Sequence, residues 1–137
     1  MSGRSFLDTN VLLYTDDHDR PAKQTRALAL LEETRMSGTG VVSTQVLQEY
    51  FVSATRKLGV PAPVAREKVE IFSHFQVVIV NVEDVLAAID LHRLHSISFW
   101  DSLIIGAALS SGCSQIYSED MQHGRRFANS EIVNPFV

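Results

Sequence analysis

The sequence has very little cysteine and no long apolar run, and each shortage excludes a class of protein. Cys113 is the single cysteine among 137 residues, so no intrachain disulfide and no cysteine-based zinc site can form. We interpret it as a core side chain near a helix end. No uninterrupted apolar stretch approaches the roughly 20 residues that span a bilayer, and the first eight residues show no cleavable apolar signal. We therefore expect a cytoplasmic protein.

Positive charge is also scarce, with 12 Lys and Arg against 16 Asp and Glu and a formal net charge of −4. A protein that holds nucleic acid by broad electrostatic attraction is usually basic, because neutralised phosphates release counterions. If this chain handles nucleic acid, a metal, local basic patches or an oligomer must supply positive charge. Hydrophobic side chains make up 45% of the chain, enough for the core of one domain spanning residues 1–137.

The apolar pattern alternates between strands and helices. Short apolar runs predict strands at 4–8, 40–43, 76–82, 115–118 and 131–133. Helical spacing and cap residues predict helices at 21–37, 45–58, 63–75, 83–95 and 99–111. The β-branched run at 76–82 is typical of a strand covered on both faces. Alternation of this kind predicts the α/β class, with a mostly parallel sheet and helices on both faces.

Polar residues follow three of the predicted strands. Asp8, Thr9 and Asn10 follow the first, Ser43 to Gln45 the second, and Ser118 to Asp120 the fourth. In open α/β sheets, ligands bind in the crevice beyond the carboxyl ends of the strands. We therefore expect a functional site lined with oxygen atoms at this edge of the sheet.

Two aspartates can be interpreted either as helix caps or as site residues. Asp8 could cap a helix that begins near Val11, although Thr9 or Asn10 is better placed to do so, which favours a functional Asp8. Asp101 follows Ser98 at capping-box spacing, at the start of a helix that is apolar almost all round. A charge in such a helix must be paired or bound to a metal, and a helix N-terminus can aim it at a cation.

Glu49 and Asp120 are weaker candidates when each is taken alone. Glu49 lies just off the buried stripe of its helix, where a solvated glutamate near Ser53 and Arg56 is the ordinary alternative. Asp120 is a common type of turn residue. Neither position indicates a site by itself.

Taken together, these motifs resemble those of the PIN-domain nucleases, and most closely the VapC-type toxins of toxin–antitoxin pairs. The matching motifs are LDTN with Asp8, QEY with Glu49, FWDSLIIGAAL with Asp101, YSED with Asp120 and the terminal IVNPF. They occur in the family's order and approximate spacing over essentially the whole chain. The resemblance implies a five-stranded sheet of order 3-2-1-4-5 with the strand of Asp8 at its centre.

The resemblance also implies a reaction, the hydrolysis of RNA to a 5′-phosphate and a 3′-hydroxyl. Asp8, Glu49, Asp101 and Asp120 would bind Mg²⁺ or Mn²⁺ directly or through water, since oxygen ligands suit hard ions. Thr9, Asn10 and Ser118 would hold the ligands by hydrogen bonds. The family further implies a cognate antitoxin and a homodimer as partners. Many relatives carry another acidic residue where this chain has Gln122, which weakens the case for a second ion.

Two questions stay open from the sequence. Arg125 and Arg126 follow the acidic motif closely and are either phosphate contacts or an exposed pair. The alternative function is that of a non-catalytic PIN-fold module that binds RNA or protein. Such modules typically lose acidic positions, whereas this chain keeps four. A phosphoacceptor receiver domain is excluded, because it needs an Asp after the third strand and a Lys after the fifth, and no lysine follows Lys68.

Overall fold

The computed structural model describes residues 3–137, so the expected domain is described from its third residue onward. Six strands and six helices form this part of the chain; two helices follow each of the first three strands, and the last three strands come in succession. The strands are β1 (Arg4–Leu7), β2 (Gly40–Ser43), β3 (Gln76–Val78), β4 (Cys113–Tyr117), β5 (Arg126–Phe127) and β6 (Ser130–Val133). The helices are α1 (Thr9–Tyr14), α2 (Pro21–Ser37), α3 (Thr44–Lys57), α4 (Ala62–Phe72), α5 (Val82–His95) and α6 (Phe99–Ser110).

The strands form one sheet in the order β3-β2-β1-β4-β6-β5. β1 is paired in parallel with β2 and β4, and β6 continues the parallel pairing beyond β4. The α/β class, the order 3-2-1-4 and the position of the last predicted strand are therefore confirmed. The predicted number of five strands is wrong, because β5 adds a short antiparallel strand outside β6.

The core lies around the central strands because their side chains are apolar and helices cover them. Phe6 and Leu7 of β1, Val41 and Val42 of β2 and Ile116 of β4 have no exposed surface. Cys113 is also buried, in agreement with its interpretation as a core side chain. No helix within residues 3–137 combines the length and the apolar character needed to cross a bilayer.

The prediction for the run at 76–82 is wrong in both length and environment. Only Gln76–Val78 pairs as a strand, and β3 lies at the edge of the sheet with β2 as its single neighbour. Ile79 is 73% exposed. Thr44 Oγ1 accepts a hydrogen bond from the amide of Val80, and α5 begins two residues later. The chain therefore leaves the sheet before the apolar run ends.

Short connections place polar residues at the carboxyl ends of the strands. Leu7 is followed by Asp8 and α1, Ser43 caps α3 through its hydroxyl, and Tyr117 is followed by Ser118. Because β1, β2 and β4 are parallel neighbours, these ends share one edge of the sheet.

Candidate active site

Asp8 lies at the end of the central strand and is only 6% exposed. One carboxylate oxygen accepts the amide of Thr9 at 2.7 Å, which caps α1. The other accepts the hydroxyl of Ser118 at 2.8 Å and the side-chain amide of Asn10 at 3.3 Å. The expectation that Thr9 or Asn10 is the better cap is wrong, since α1 begins at Thr9. Asp8 both caps the helix and faces the neighbouring loop.

The loop that carries Asp120 is tied to Asp8 by two side chains. The Ser118 hydroxyl accepts the amide of Asp120 at 3.2 Å while it donates to Asp8. The Asn10 side-chain amide donates to Asp120 at 3.1 Å and to Asp8, and its carbonyl accepts the amide of Glu119. Donors shared between two carboxylates partly offset the repulsion between them. Asp120 is therefore held beside Asp8.

Glu119 belongs to the same polar run but serves another purpose. Its carboxylate accepts hydrogen bonds from the Tyr14 hydroxyl and from the Lys23 ammonium group, both at 2.5 Å. These contacts fasten the loop to α1 and α2. Glu119 is thus neutralised locally, and Asp120 is the acidic residue of this run that remains available to the site.

Glu49 is turned toward the same edge from the first half of α3. Thr9 Oγ1 donates to one of its carboxylate oxygens at 2.7 Å, and Gln45 Nε2 donates to the other at 3.2 Å. Glu49 is therefore not the freely solvated glutamate of the alternative interpretation. Gln45 also donates to the carbonyl of Trp100 at 3.2 Å, so it joins α3 to the start of α6.

Sequence reasoning placed Gln45 among the polar residues at the strand ends but gave it no role in the site. The signal that could have found it is its spacing, because residues four apart on a helix are neighbours and Gln45 precedes Glu49 by four. Gln45 is 7% exposed, and its carbonyl oxygen has no hydrogen-bond partner within the described residues.

Asp101 lies in the first turn of α6 and is half-buried. Its amide donates to the Ser98 hydroxyl at 3.0 Å, so Ser98 caps the helix as its spacing predicts. Asp101 and Asp120 line one small cavity of about 140 Å³. The other residues of its lining are Ile97, Ile105, Met121, Gln122, Arg125, Phe127 and Ile132.

The four carboxylates influence one another electrostatically. Burial raises the pKa of Asp8 to about 6; hydrogen bonds from Ser118 and Thr9 oppose the rise, and the charges of Asp120 and Glu49 add to it. The pKa of Asp101 is raised chiefly by burial, against a hydrogen bond from Ser98, and again by the charges of Asp120 and Glu49. Asp8 and Asp101 are therefore repelled by the same two carboxylates.

This donor set fits a hard divalent cation that keeps part of its water shell. All the converging side chains offer oxygen, the ligand type that Mg²⁺ and Mn²⁺ prefer. Within residues 3–137, no group of three or more His, Cys, Asp and Glu side chains is arranged to hold an ion directly. Mg²⁺ commonly binds through one or two carboxylates and retains several waters, which suits carboxylates spaced in this way. The assignment of all four as ligands stays a prediction.

The two arginines occupy different environments. Arg125 lines the cavity with Asp101 and Asp120, and its guanidinium lies 4.6 Å from the centre of the Phe127 ring. Arg126 is exposed and pairs with Glu131 at 3.1 Å. Of the two candidates for phosphate contact, only Arg125 faces the acidic site.

The fold and this crevice define an α/β protein with a carboxylate-rich site at the carboxyl ends of its parallel strands. The chain belongs to the PIN domain family, whose model matches residues 5–127. Among curated proteins, none matches its sequence.

Two solved structures show the same fold. VapC20 of Mycobacterium tuberculosis, a Sarcin-Ricin loop cleaving toxin, is 18% identical with a TM-score of 0.64, over 85% of this chain and 89% of that one. VapBC2 of Rickettsia felis, solved with a DNA fragment from its promoter, is 19% identical with a TM-score of 0.64, over 93% and 96%. At these identities the likeness establishes the fold. The predicted PIN domain is confirmed, and both structures share its fold.

Proposed function

We propose that this protein is a divalent-metal-dependent endoribonuclease and the toxin of a toxin–antitoxin pair. The observation that carries the proposal is the environment of Asp8. Its carboxylate is buried, its pKa is raised to about 6, and Glu49 and Asp120 both repel its charge. A cation among these groups offsets burial and repulsion at once. Membership of the PIN family and the likeness to two VapC structures support the same function.

The chain's own residues hold this site in shape for the reaction. Ser118 and Asn10 fix the Asp8 and Asp120 carboxylates, while Thr9 and Gln45 fix that of Glu49. The carboxylates would hold a divalent ion, which would supply an activated water and neutralise charge on the phosphate. Hydrolysis would break the bond between phosphorus and the 3′ oxygen, with the water's hydroxyl going to phosphorus and its proton to the leaving oxygen, and so leave a 5′-phosphate and a 3′-hydroxyl.

Arg125 is the phosphate contact of this proposal. Arg125 lines the same cavity as Asp101 and Asp120, and a guanidinium can bind phosphate oxygens with two parallel hydrogen bonds. Stacking on Phe127 limits the orientations of the guanidinium and so lowers the entropy lost on binding. Arg126 is assigned no such role, since Glu131 already pairs with it.

The proposed partners follow from the family resemblance, and the charge of the crevice suits the antitoxin. Like the toxins of its family, the protein would be neutralised by an antitoxin that places a basic side chain among the carboxylates, and it would form a homodimer. The likeness to VapBC2 of Rickettsia felis supports an antitoxin partner. Because the proposed substrate is RNA, we expect the protein to act in the cytoplasm.

A cleavage assay on the antitoxin-free protein tests the function. We expect labelled single-stranded and structured RNAs to be cut with Mg²⁺ or Mn²⁺ and to stay intact with EDTA. Asp8→Asn should lower kcat by about 100-fold or more, because several kcal/mol of charge stabilisation depend on the ion. Asp90→Asn is the matched control, since Asp90 is exposed on α5.

Two outcomes would contradict the assignment. Cleavage that persists in EDTA would exclude the metal mechanism, and full activity in Asp8→Asn would place the reaction elsewhere. If RNA binds but stays intact with either ion, the non-catalytic PIN module is the better description.

A further inference from the structure

Trp100 is the only tryptophan of the chain and lies directly before Asp101 in the first turn of α6. Its side chain is 63% exposed, although the helix that carries it is largely buried. Consecutive Cα atoms lie about 3.8 Å apart and consecutive side chains on a helix point about 100° apart, so the indole leaves the helix next to Asp101 but in a different direction. A large apolar ring is thus presented to solvent at the border of the acidic crevice.

The backbone beneath this ring is held firmly by the site itself. The carbonyl of Trp100 accepts a hydrogen bond from Gln45, which also holds Glu49. Ser98 caps the same turn. The Phe99 ring meets the indole edge to face, with centroids 5.2 Å apart and an interplanar angle of 73°. The backbone that carries the indole is therefore tied to Gln45, the residue that also holds Glu49.

The charge of the molecule calls for a source of RNA affinity other than attraction to phosphate. The chain carries a net charge of −4, and its crevice gathers carboxylates with Arg125 as the cation of the cavity lining. Bases stack on aromatic side chains without any charge, and every base offers a π face. An exposed indole beside the reacting phosphate would supply affinity for RNA that a negatively charged surface does not.

We propose that Trp100 is a stacking platform for an unpaired base next to the scissile phosphate. The inference rests on the proposed nuclease function. A base that is paired in a duplex keeps its faces stacked on its neighbours, so the indole selects nucleotides in loops, ends or unstructured segments. Its contribution is insensitive to salt, unlike that of Arg125.

Fluorescence of this single tryptophan reports the contact directly. In an Asp8→Asn background, where cleavage is slowed, an eight-nucleotide single-stranded RNA should quench the emission, and a blunt duplex of the same sequence should not. In the active protein, Trp100→Ala should raise KM by about 5- to 150-fold, the range for loss of one stacked base, with a smaller change in kcat. Trp100→Phe should retain most of the affinity, because it keeps an aromatic face.

Two controls separate stacking from other effects. Phe51→Ala removes another exposed aromatic side chain, which lines a different groove with Leu47 and Val69, and should leave KM unchanged. Between 50 and 300 mM salt, the loss caused by Trp100→Ala should stay constant, while the loss caused by Arg125→Ala should shrink.

The outcomes keep this inference distinct from the nuclease assignment. The role of Trp100 would be overturned if Trp100→Ala stays active with an unchanged KM and if RNA binds, as seen by anisotropy, without quenching. The nuclease assignment would not be affected by that result. A Trp100→Ala protein that binds RNA normally but sediments at a different mass would make the indole a protein contact and would also overturn it. Quenching without any cleavage would support the platform and count against the nuclease.

Discussion

Single side chains at this site meet structural and chemical demands at once. Asp8 caps α1 through the amide of Thr9, yet the same carboxylate accepts Ser118 and Asn10 and lies among other acidic groups. The cap and the site are therefore one feature, not alternatives. A carboxylate that needed only to cap a helix would be more stable in water, so its burial carries a cost in the folded protein.

That cost predicts a particular pH dependence for the metal-free protein. The pKa of Asp8 is about 6 when folded, against about 3.9 when unfolded, so between these values the folded state binds more protons. Stability therefore falls as pH rises from 4 to 7, by about 2 kcal/mol from this group. In Asp8→Asn the difference in unfolding free energy between pH 4 and pH 7 should shrink by up to this amount, measured by urea denaturation in EDTA.

Glu32→Gln is the control for this measurement. Glu32 is exposed and its pKa is lowered by the adjacent Arg35, so its removal cannot abolish a loss of stability with rising pH. Identical pH dependence in the native protein and Asp8→Asn would show that Asp8 titrates normally in the folded state.

At the scale of elements, the sequence predicts what depends on local pattern and misses what depends on neighbours. The helix Pro21–Ser37 and the strand Gly40–Ser43 have the predicted bounds, because proline and glycine mark their ends. β5 was missed because the turn before β6 uses Ala128 at φ 51°, where the usual signal is Asn or Gly. The sequence of β3 is as rich in β-branched residues as that of a central strand, so it does not reveal that β3 lies at the edge of the sheet.

The site shows the same division between local pattern and tertiary contact. Asp8 and Asp120 follow strands that the pattern locates, so their meeting at one edge could be foreseen. The contact of Glu49 with Thr9 depends on how α3 lies against α1, and no single-sequence signal specifies that angle. Gln45 reaches the Glu49 carboxylate along α3 itself, so that contact follows from the spacing of four.

Gly40 at the start of β2 packs against α2 and against the segment before β3, and this contact yields a stability prediction. A Cβ atom at Gly40 would lie 2.4 Å from the Phe75 ring and 3.3 Å from the Thr34 side chain. Gly40→Ala should therefore lower the unfolding free energy by about 1–3 kcal/mol through overpacking. The matched variant is Gly106→Ala in α6, where the nearest atom is 3.9 Å away, and it should stabilise by about 0.5–1 kcal/mol.

Thermal or urea unfolding of both variants, with Phe75→Leu added to each, checks this prediction. Gly40→Ala should cost less in the Phe75→Leu protein than in the native one, whereas the effect of Gly106→Ala should be the same in both, because only Gly40 lies against the ring. Equal stability of Gly40→Ala and the native protein would mean that the ring can move aside freely.

For the whole molecule, a negative surface and an acidic crevice make the folded state a better ligand for divalent cations than the unfolded chain. The four carboxylates come from positions 8, 49, 101 and 120, so folding alone brings them together. An ion that binds only the folded state stabilises it by RT ln(1 + [L]/Kd). Metal binding can thus be measured as stability, independently of any RNA or any cleavage.

We expect Mn²⁺ at ten times its Kd to add about 1.4 kcal/mol, which raises Tm by about 3–8 °C for a domain of this size. Asp8→Asn and Asp101→Asn should each abolish most of this increase, because each removes a charge from the crevice, whereas Asp90→Asn on the exposed face of α5 should keep it. EDTA should return the native protein to its metal-free Tm. An equal rise in all four proteins would place the ion elsewhere on the acidic surface, while no rise in any would leave the crevice without its cation.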